Sequence, residues 1–208
     1  LVGKKPLIFT NNDSGYETAI EFKKNGVEPI ILDTRKNPKS EIIDEAKNLG
    51  INIKFSYVVV AAKGYKKVKS AEIAKISDDK NELGLLESIN CDCICVSGFW
   101  TPTIHLASQS GNKTKFNKDI DAFVPGVSKQ NETTLGAANG TLTLEETLKD
   151  SFDSGYELSK KITNNDNKIS LPVVIEKKST QHDKFWCVPL PKGKTYKRFL
   201  DFQNDVAV

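Results

Sequence analysis

Pro6-Leu7-Ile8-Phe9-Thr10-Asn11-Asn12-Asp13-Ser14-Gly15-Tyr16-Glu17 reads as a strand, a polar turn and the start of a helix. Pro6–Thr10 is a short apolar run of strand length. Ser14 and Glu17 have the spacing of a capping box, in which a hydroxyl and a carboxylate satisfy amides that the first helical turn leaves open. Ala19, Ile20 and Phe22 give that helix an apolar stripe, and Gly26 supplies a left-handed stop. A strand running through a tight turn into a helix brings a sheet edge and a helix N-terminus together. That is where α/β units hold phosphates.

Working outward, Pro29–Asp33 is the second strand, and Asn37-Pro38 is expected to open a second helix that ends at Gly50. Ile51–Phe55 follows as a strand. Tyr57–Ala62 and Val68–Ile76 flank Lys63-Gly64-Tyr65-Lys66 as a hairpin, and Cys91–Ser97 is a further buried strand. The order β-α-β-α-β, then a meander, then a final strand implies an α/β fold with a Rossmann-like nucleotide-binding domain. After Trp100 the chain is loop-rich. Thr143-Leu144-Glu145-Glu146 is a second capping box, and Leu144, Leu148, Phe152, Gly155 and Leu158 keep helical spacing behind it. Thr163–Lys168 is a polar break, Leu171–Ile175 is apolar, and a lysine-rich stretch leads to Phe199–Asp205. The expected divisions are an α/β domain over 1–105, a mixed α+β connector over 106–168 with a helix at 144–162, and a linker over 169–208 that begins another domain.

A dinucleotide turn needs glycines so that backbone can approach the pyrophosphate. Asn11 and Asn12 stand where glycines are wanted. Asparagine tolerates left-handed backbone, so the turn can form, but its side chains crowd the phosphate and Asp13 repels it. Asp33 ends the second strand about 20 residues on, where a carboxylate takes ribose hydroxyls. Two readings stay open: a nucleotide site built on Asn11, Asn12, Asp13, Ser14 and Asp33, or a degenerate turn kept for structure. Gly98, just past the cysteine-rich strand on the same sheet edge, is the remaining candidate contact.

Composition narrows the classes. Lys+Arg 30 against Asp+Glu 27 gives a net charge of +3, and the charges are dispersed, so neither nucleic acid nor a membrane is implied as partner. Arg35 and Arg198 are the arginines; the other basic residues are lysine, a weaker reader of phosphates and bases. No apolar run reaches the roughly 18–20 residues of a membrane span and no leader is visible, so a cytoplasmic protein is expected. Cys91, Cys93 and Cys95 alternate along a strand and are expected on one face, about 7 Å apart, as reduced core thiols beside the solitary Cys187. His105 is expected to pack locally and His182 to be exposed. Asp201 and Asp205 lack a pocket, and no metal constellation stands out. A chain that begins at Leu1 and contains no Met is expected to be a piece of something longer.

Five stretches carry a family resemblance: Phe9–Ser14, Val96–Leu106 with Ser108-Gln109, Ala122–Gly126, Gly136–Thr141 and Asp201–Asp205. In order, they resemble the α subunit of heterotetrameric sarcosine oxidase over nearly the whole chain. The resemblance implies a central fragment of a complex that oxidatively demethylates sarcosine to glycine, formaldehyde or methylenetetrahydrofolate, and hydrogen peroxide. It implies a two-dinucleotide-binding flavoprotein architecture, with 1–105 as the degenerate NAD(P)-type domain and 169–208 leading into an aminomethyltransferase-like domain. The implied cofactors are NAD on α, FMN near the α/β interface, FAD on the β subunit, and tetrahydrofolate through the C-terminal domain beyond this stretch. The implied partners are β, γ and δ subunits. Amine oxidation would fall to β, so no catalytic residue is assigned here and the chain alone is expected to be inactive. A structural module, or the α subunit of a related amine, opine or proline dehydrogenase, is the alternative. Gly136–Gly140 lacks the Asp with which related flavoproteins hold a ribityl chain.

Overall fold

The computed structural model describes residues 3–98, 100–163, 170, 171, 173, 174, 183–185, 187–193, 199–201 and 206–207. Contacts divide the chain into two compact units, Leu1–Phe99 with Ser179–Val208, and Trp100–Lys178.

The first unit is an α/β layer structure. β1 (Pro6–Thr10), α1 (Ser14–Lys24), β2 (Ile30–Asp33), α2 (Glu41–Asn48) and β3 (Asn52–Phe55) alternate. They are followed by a meander of β4 (Tyr57–Gly64), β5 (Val68–Ile76) and β6 (Leu83–Asn90), then β7 (Cys93–Ser97). The parallel sheet has the order β3-β2-β1-β7, and the meander is antiparallel. β1 is central and covered on both faces, which is why it reads as an unbroken apolar run rather than an alternating one. Ile8 and Ile31 face the helices with Tyr16, Ala19, Ile20, Ile43 and Ala46. Leu7 and Leu32 face the meander with Ala71 and Ile73. Each fully buried Leu or Ile contributes about 1.5–3 kcal/mol, so the two cores flanking the sheet hold the unit together.

Three expectations are corrected. The second helix begins at Glu41 with Ser40 in extended N-cap geometry, not at Asn37-Pro38. Its first packing residues are Ile42 and Ile43, and burial rather than the proline sets its start. β6 was not foreseen as a strand. It is the outer meander strand, mostly exposed, with Leu85 91% exposed, so it shows no apolar alternation. Cys91 does not share the face of the other two cysteines of the stretch. Cys91 precedes β7 and is buried in the meander-side core, whereas Cys95 packs against the helix-side core. Between them the Asp92 carboxylate accepts the Lys4 and Lys5 amides at 2.8 Å each, tying the approach to β1 to the start of β7. Cys93 and Cys95 do share a face, but their side chains lean together to an Sγ–Sγ separation of 3.7 Å rather than 7 Å.

The second unit contains α3 (His105–Gln109), the hairpin β8 (Thr114–Asn117) with β9 (Ala122–Pro125), a 3-10 turn at Gly136–Asn139, and α4 (Leu144–Thr163). Phe116 and Phe123 meet edge-on across the hairpin at 5.3 Å. Gly140 is left-handed at φ +89°, and a Cβ there would come within 2.7 Å of Ile120, so glycine is required twice over. The capping box ahead of α4 forms: Thr143 Oγ1 accepts the Glu146 amide at 3.3 Å and donates to its carboxylate at 2.7 Å. His105 is exposed rather than packed. β10 (Phe199–Asp201) and β11 (Val206–Ala207) pair antiparallel. His182 and Asp205 lie outside the described residues. Among the described residues no helix is long and apolar enough to cross a membrane, and no cluster of three His, Cys, Asp or Glu is arranged for a metal.

Candidate functional site

Parallel strands deliver their carboxyl ends to one edge, and Thr10, Asp33 and Ser97 lie level there in register. The turn from β1 to α1 crosses that edge. Asp13, not Ser14, is the helix N-cap, and its side chain makes no capping bond. Asn12 does that work: its Oδ1 accepts the Ser14 amide at 2.9 Å and the Ser14 hydroxyl at 2.7 Å. The Ser14 hydroxyl also lies 2.6 Å from the Ser97 hydroxyl, and Asn12 Nδ2 donates to Asn11 Oδ1 at 2.8 Å and to Ser97 O at 3.2 Å. Thr10 Oγ1 donates to Asn12 O at 2.8 Å. An amide oxygen of the chain thus sits at the helix start, where an anion's oxygen is otherwise drawn.

Gly15 shows how the turn relates to a dinucleotide fingerprint. A Cβ there would lie 2.6 Å from Thr10 Cβ, so the third glycine, needed for close helix–strand packing, is retained. Counting back, the two glycines that open room for phosphate fall on Thr10 and Asn12 rather than on Asn11 and Asn12.

The ribose side is likewise engaged. Asp33 is fully buried. It takes a forked pair from Arg35, with Nη2 at 2.8 Å from Oδ2 and Nε at 3.0 Å from Oδ1, and the Tyr16 hydroxyl donates to Oδ2 at 2.6 Å. Arg35 Nη1 reaches on to Asp13 at 2.8 Å. Burial pushes the Tyr16 phenol well above its ordinary value, with the Asp33 charge adding to it. Burial works against the Arg35 charge, but Asp33 and then Asp13 outweigh it, and the guanidinium is held more firmly protonated than usual.

A small cavity of about 150 Å³ remains at this edge, lined by residues that include Phe9, Thr34, Val96, Gly98 and Phe185. Small-molecule pockets usually span about 300–1,000 Å³. The structure therefore brings Asn11, Asn12, Asp13, Ser14, Asp33 and Gly98 together, but as partners of one another and of their neighbours; the Gly98 carbonyl accepts from Asn11 Nδ2 at 3.2 Å. In this arrangement the polar groups of the edge are satisfied from within the chain.

No family model matches the chain. The sarcosine oxidase subunit alpha of Rhizobium meliloti (strain 1021) is 30% identical over 217 aligned positions, covering 98% of this chain and 19% of that one. By sequence, this chain resembles sarcosine oxidase subunit alpha along its length. The corresponding subunit of Corynebacterium sp. (strain U-96) is 30% identical over 141 positions, or 67% of this chain and 14% of that one. The chain spans about a fifth or less of the length of these curated relatives. In structure it is similar to the flavoprotein disulfide reductase RclA of Escherichia coli, with a TM-score of 0.53 and 14% identity over 80% of this chain and 37% of that one. That likeness bears on the fold alone, which is Rossmann-type α/β.

Several residues of this site escaped sequence reasoning: Tyr16, Thr34, Arg35, Lys80, Ser97 and Asp183. Arg35 did carry a signal. An arginine two residues after a strand-end aspartate, in a chain that otherwise uses lysine, marks a place where the planar fork matters. Asp183 carried none, because it lies 172 residues from its backbone partner Asn11.

Proposed function

We propose that this chain is one nucleotide-type unit and its connector within a sarcosine oxidase-type α subunit, and that it serves the complex as scaffold and as subunit or flavin interface. In this reading the assembled enzyme oxidises sarcosine to glycine, formaldehyde or methylenetetrahydrofolate, and hydrogen peroxide. The amine-oxidising flavin lies on the β subunit, with γ and δ subunits completing the assembly. The resemblance over 98% of the chain supports the membership. The observation that carries the scaffold role is the turn itself: Asn12 Oδ1 fills the N-terminus of α1, and Arg35 and Tyr16 fill the carboxylate of Asp33. Asn11, Asn12, Asp13, Ser14, Asp33 and Gly98 then act by holding three strand ends and a helix together.

The test is Asn12→Ala in the assembled complex, with subunit ratio, thermal stability and nucleotide per complex all measured. The scaffold reading expects lower stability or poorer assembly, with NAD and flavin content per assembled complex unchanged. Intact assembly that has lost NAD would overturn it.

A further inference from the structure

The carboxyl edge of the sheet is covered by a segment far away in sequence. The Asp183 amide donates to Asn11 O at 2.9 Å, and Asn11 Nδ2 returns a bond to Asp183 O at 3.0 Å. The Phe185 amide then donates to Asp183 O at 2.8 Å, a tight bend that turns Phe185 toward the cavity between Phe9 and Val96. Cys187 and Val188 line the same cavity. The Asp183 side chain is 14% exposed, and its carboxylate accepts from Thr34 Oγ1 at 3.1 Å and from the Lys80 ammonium. Lys80 also lies 5.9 Å from the Phe185 ring centre.

Lys80 is held there by its backbone. It sits in the turn between β5 and β6 at φ +59°, a left-handed conformation that costs a non-glycine residue energy, with its amide bonded to Ser77 O at 2.9 Å. A lysine in a strained turn and a threonine after β2 thus converge on one carboxylate, while an asparagine after β1 holds the backbone of the same residue. They do so where open α/β sheets take their ligands.

We infer that Thr34 and Lys80, beside an Asn11 side chain that grips the plug's backbone, form an anion cradle which the chain fills with its own Asp183, and that Asp183 and Phe185 form an internal plug over the sheet edge. The external ligand that matches the cradle is a small phosphate-type anion, which competes with the plug rather than adding to it. This goes beyond the scaffold reading. Its failure shows in anion binding and in exposure of the plug, whereas failure of the scaffold reading shows in the nucleotide content of the complex.

The probe is inorganic pyrophosphate, titrated into the full chain by calorimetry at fixed ionic strength. Asp183→Asn keeps the shape and removes the competing charge, so it is expected to bind about tenfold or more tightly than the wild type. Adding Lys80→Met is expected to abolish that gain. Equal affinity of wild type and Asp183→Asn, or a gain that survives Lys80→Met, would overturn the cradle. Hydrogen exchange on the unmodified chain is independent of whether the variants fold. Saturating pyrophosphate is expected to speed exchange at the Asp183 and Phe185 amides, and binding with unchanged protection there would overturn the plug.

Discussion

Replacing Arg35 by Met is the sharpest perturbation of the interior. The guanidinium lies 2.8 Å from both Asp13 and Asp33, and the side chains involved are 10%, 6% and 0% exposed. Two carboxylates share one cation, so removing it leaves two like charges in a nearly dry site. At an effective dielectric of about 20, a unit pair at about 4 Å is worth about 4 kcal/mol. Measured losses on breaking one side of a buried pair run about 3–5 kcal/mol. For a chain of this size that corresponds to a fall in Tm on the order of 10 °C. Lys36→Met is the control: Lys36 bonds Asp78 at 2.5 Å, a similarly short contact, but the two side chains are 72% and 73% exposed. Its expected cost is below about 1 kcal/mol. Denaturant unfolding of both variants, followed by fluorescence and circular dichroism, decides the matter. An Arg35→Met loss no larger than that of Lys36→Met refutes the reasoning. The triple change Asp13→Asn, Asp33→Asn and Arg35→Met is expected to recover part of the loss, because it leaves no unpaired buried charge.

Gly15→Ala normally favours a helix by about 1 kcal/mol, but here the new methyl meets Thr10 Cβ at 2.6 Å. A net loss of about 1–3 kcal/mol is expected, and Thr10→Ser in the same chain is expected to restore part of it. Tyr16 has its pKa raised in the fold, first by burial and then by Asp33. The stability this gives is complete below the unfolded value of about 10 and falls as pH rises past it. Wild type is therefore expected to lose stability more steeply than Tyr16→Phe in denaturant midpoints taken above pH 10, and parallel curves would sink this. Burial, then its bond to Cys93, pushes the Cys95 thiol up to about 11. Iodoacetamide at pH 8 should label exposed Cys187 well before Cys95, as read by peptide mass spectrometry; equal rates contradict the packing of β7.

The alternation of apolar runs with capped helices made the parallel sheet legible, because β1 and β2 are buried on both faces and their sequences show it. β6 was not legible: an exposed outer strand has no burial to imprint a period on Leu83–Asn90. The turn was recognised as nucleotide-type from its place between strand and helix. Its closure was not, because whether Asn12 opens a phosphate site or fills it depends on where Ser97 lies, 85 residues on. Asp33 was chosen for its position, but its partner Arg35 is fixed by tertiary burial. Glycine placement was partly readable. Gly15 lies inside the capping-box stretch and drew no reading of its own, whereas the distance to Thr10 makes it the packing glycine of the fingerprint.

The claim that this edge is filled from within is tested most directly by titrating NAD into the full chain while following the backbone amide resonances of Asn12, Ser14 and Asp33. No saturable shift is expected at these three amides, since their neighbours already occupy the pyrophosphate and ribose positions. A saturable, concerted shift of all three, lost in Asp33→Asn, would show that the turn binds nucleotide after all.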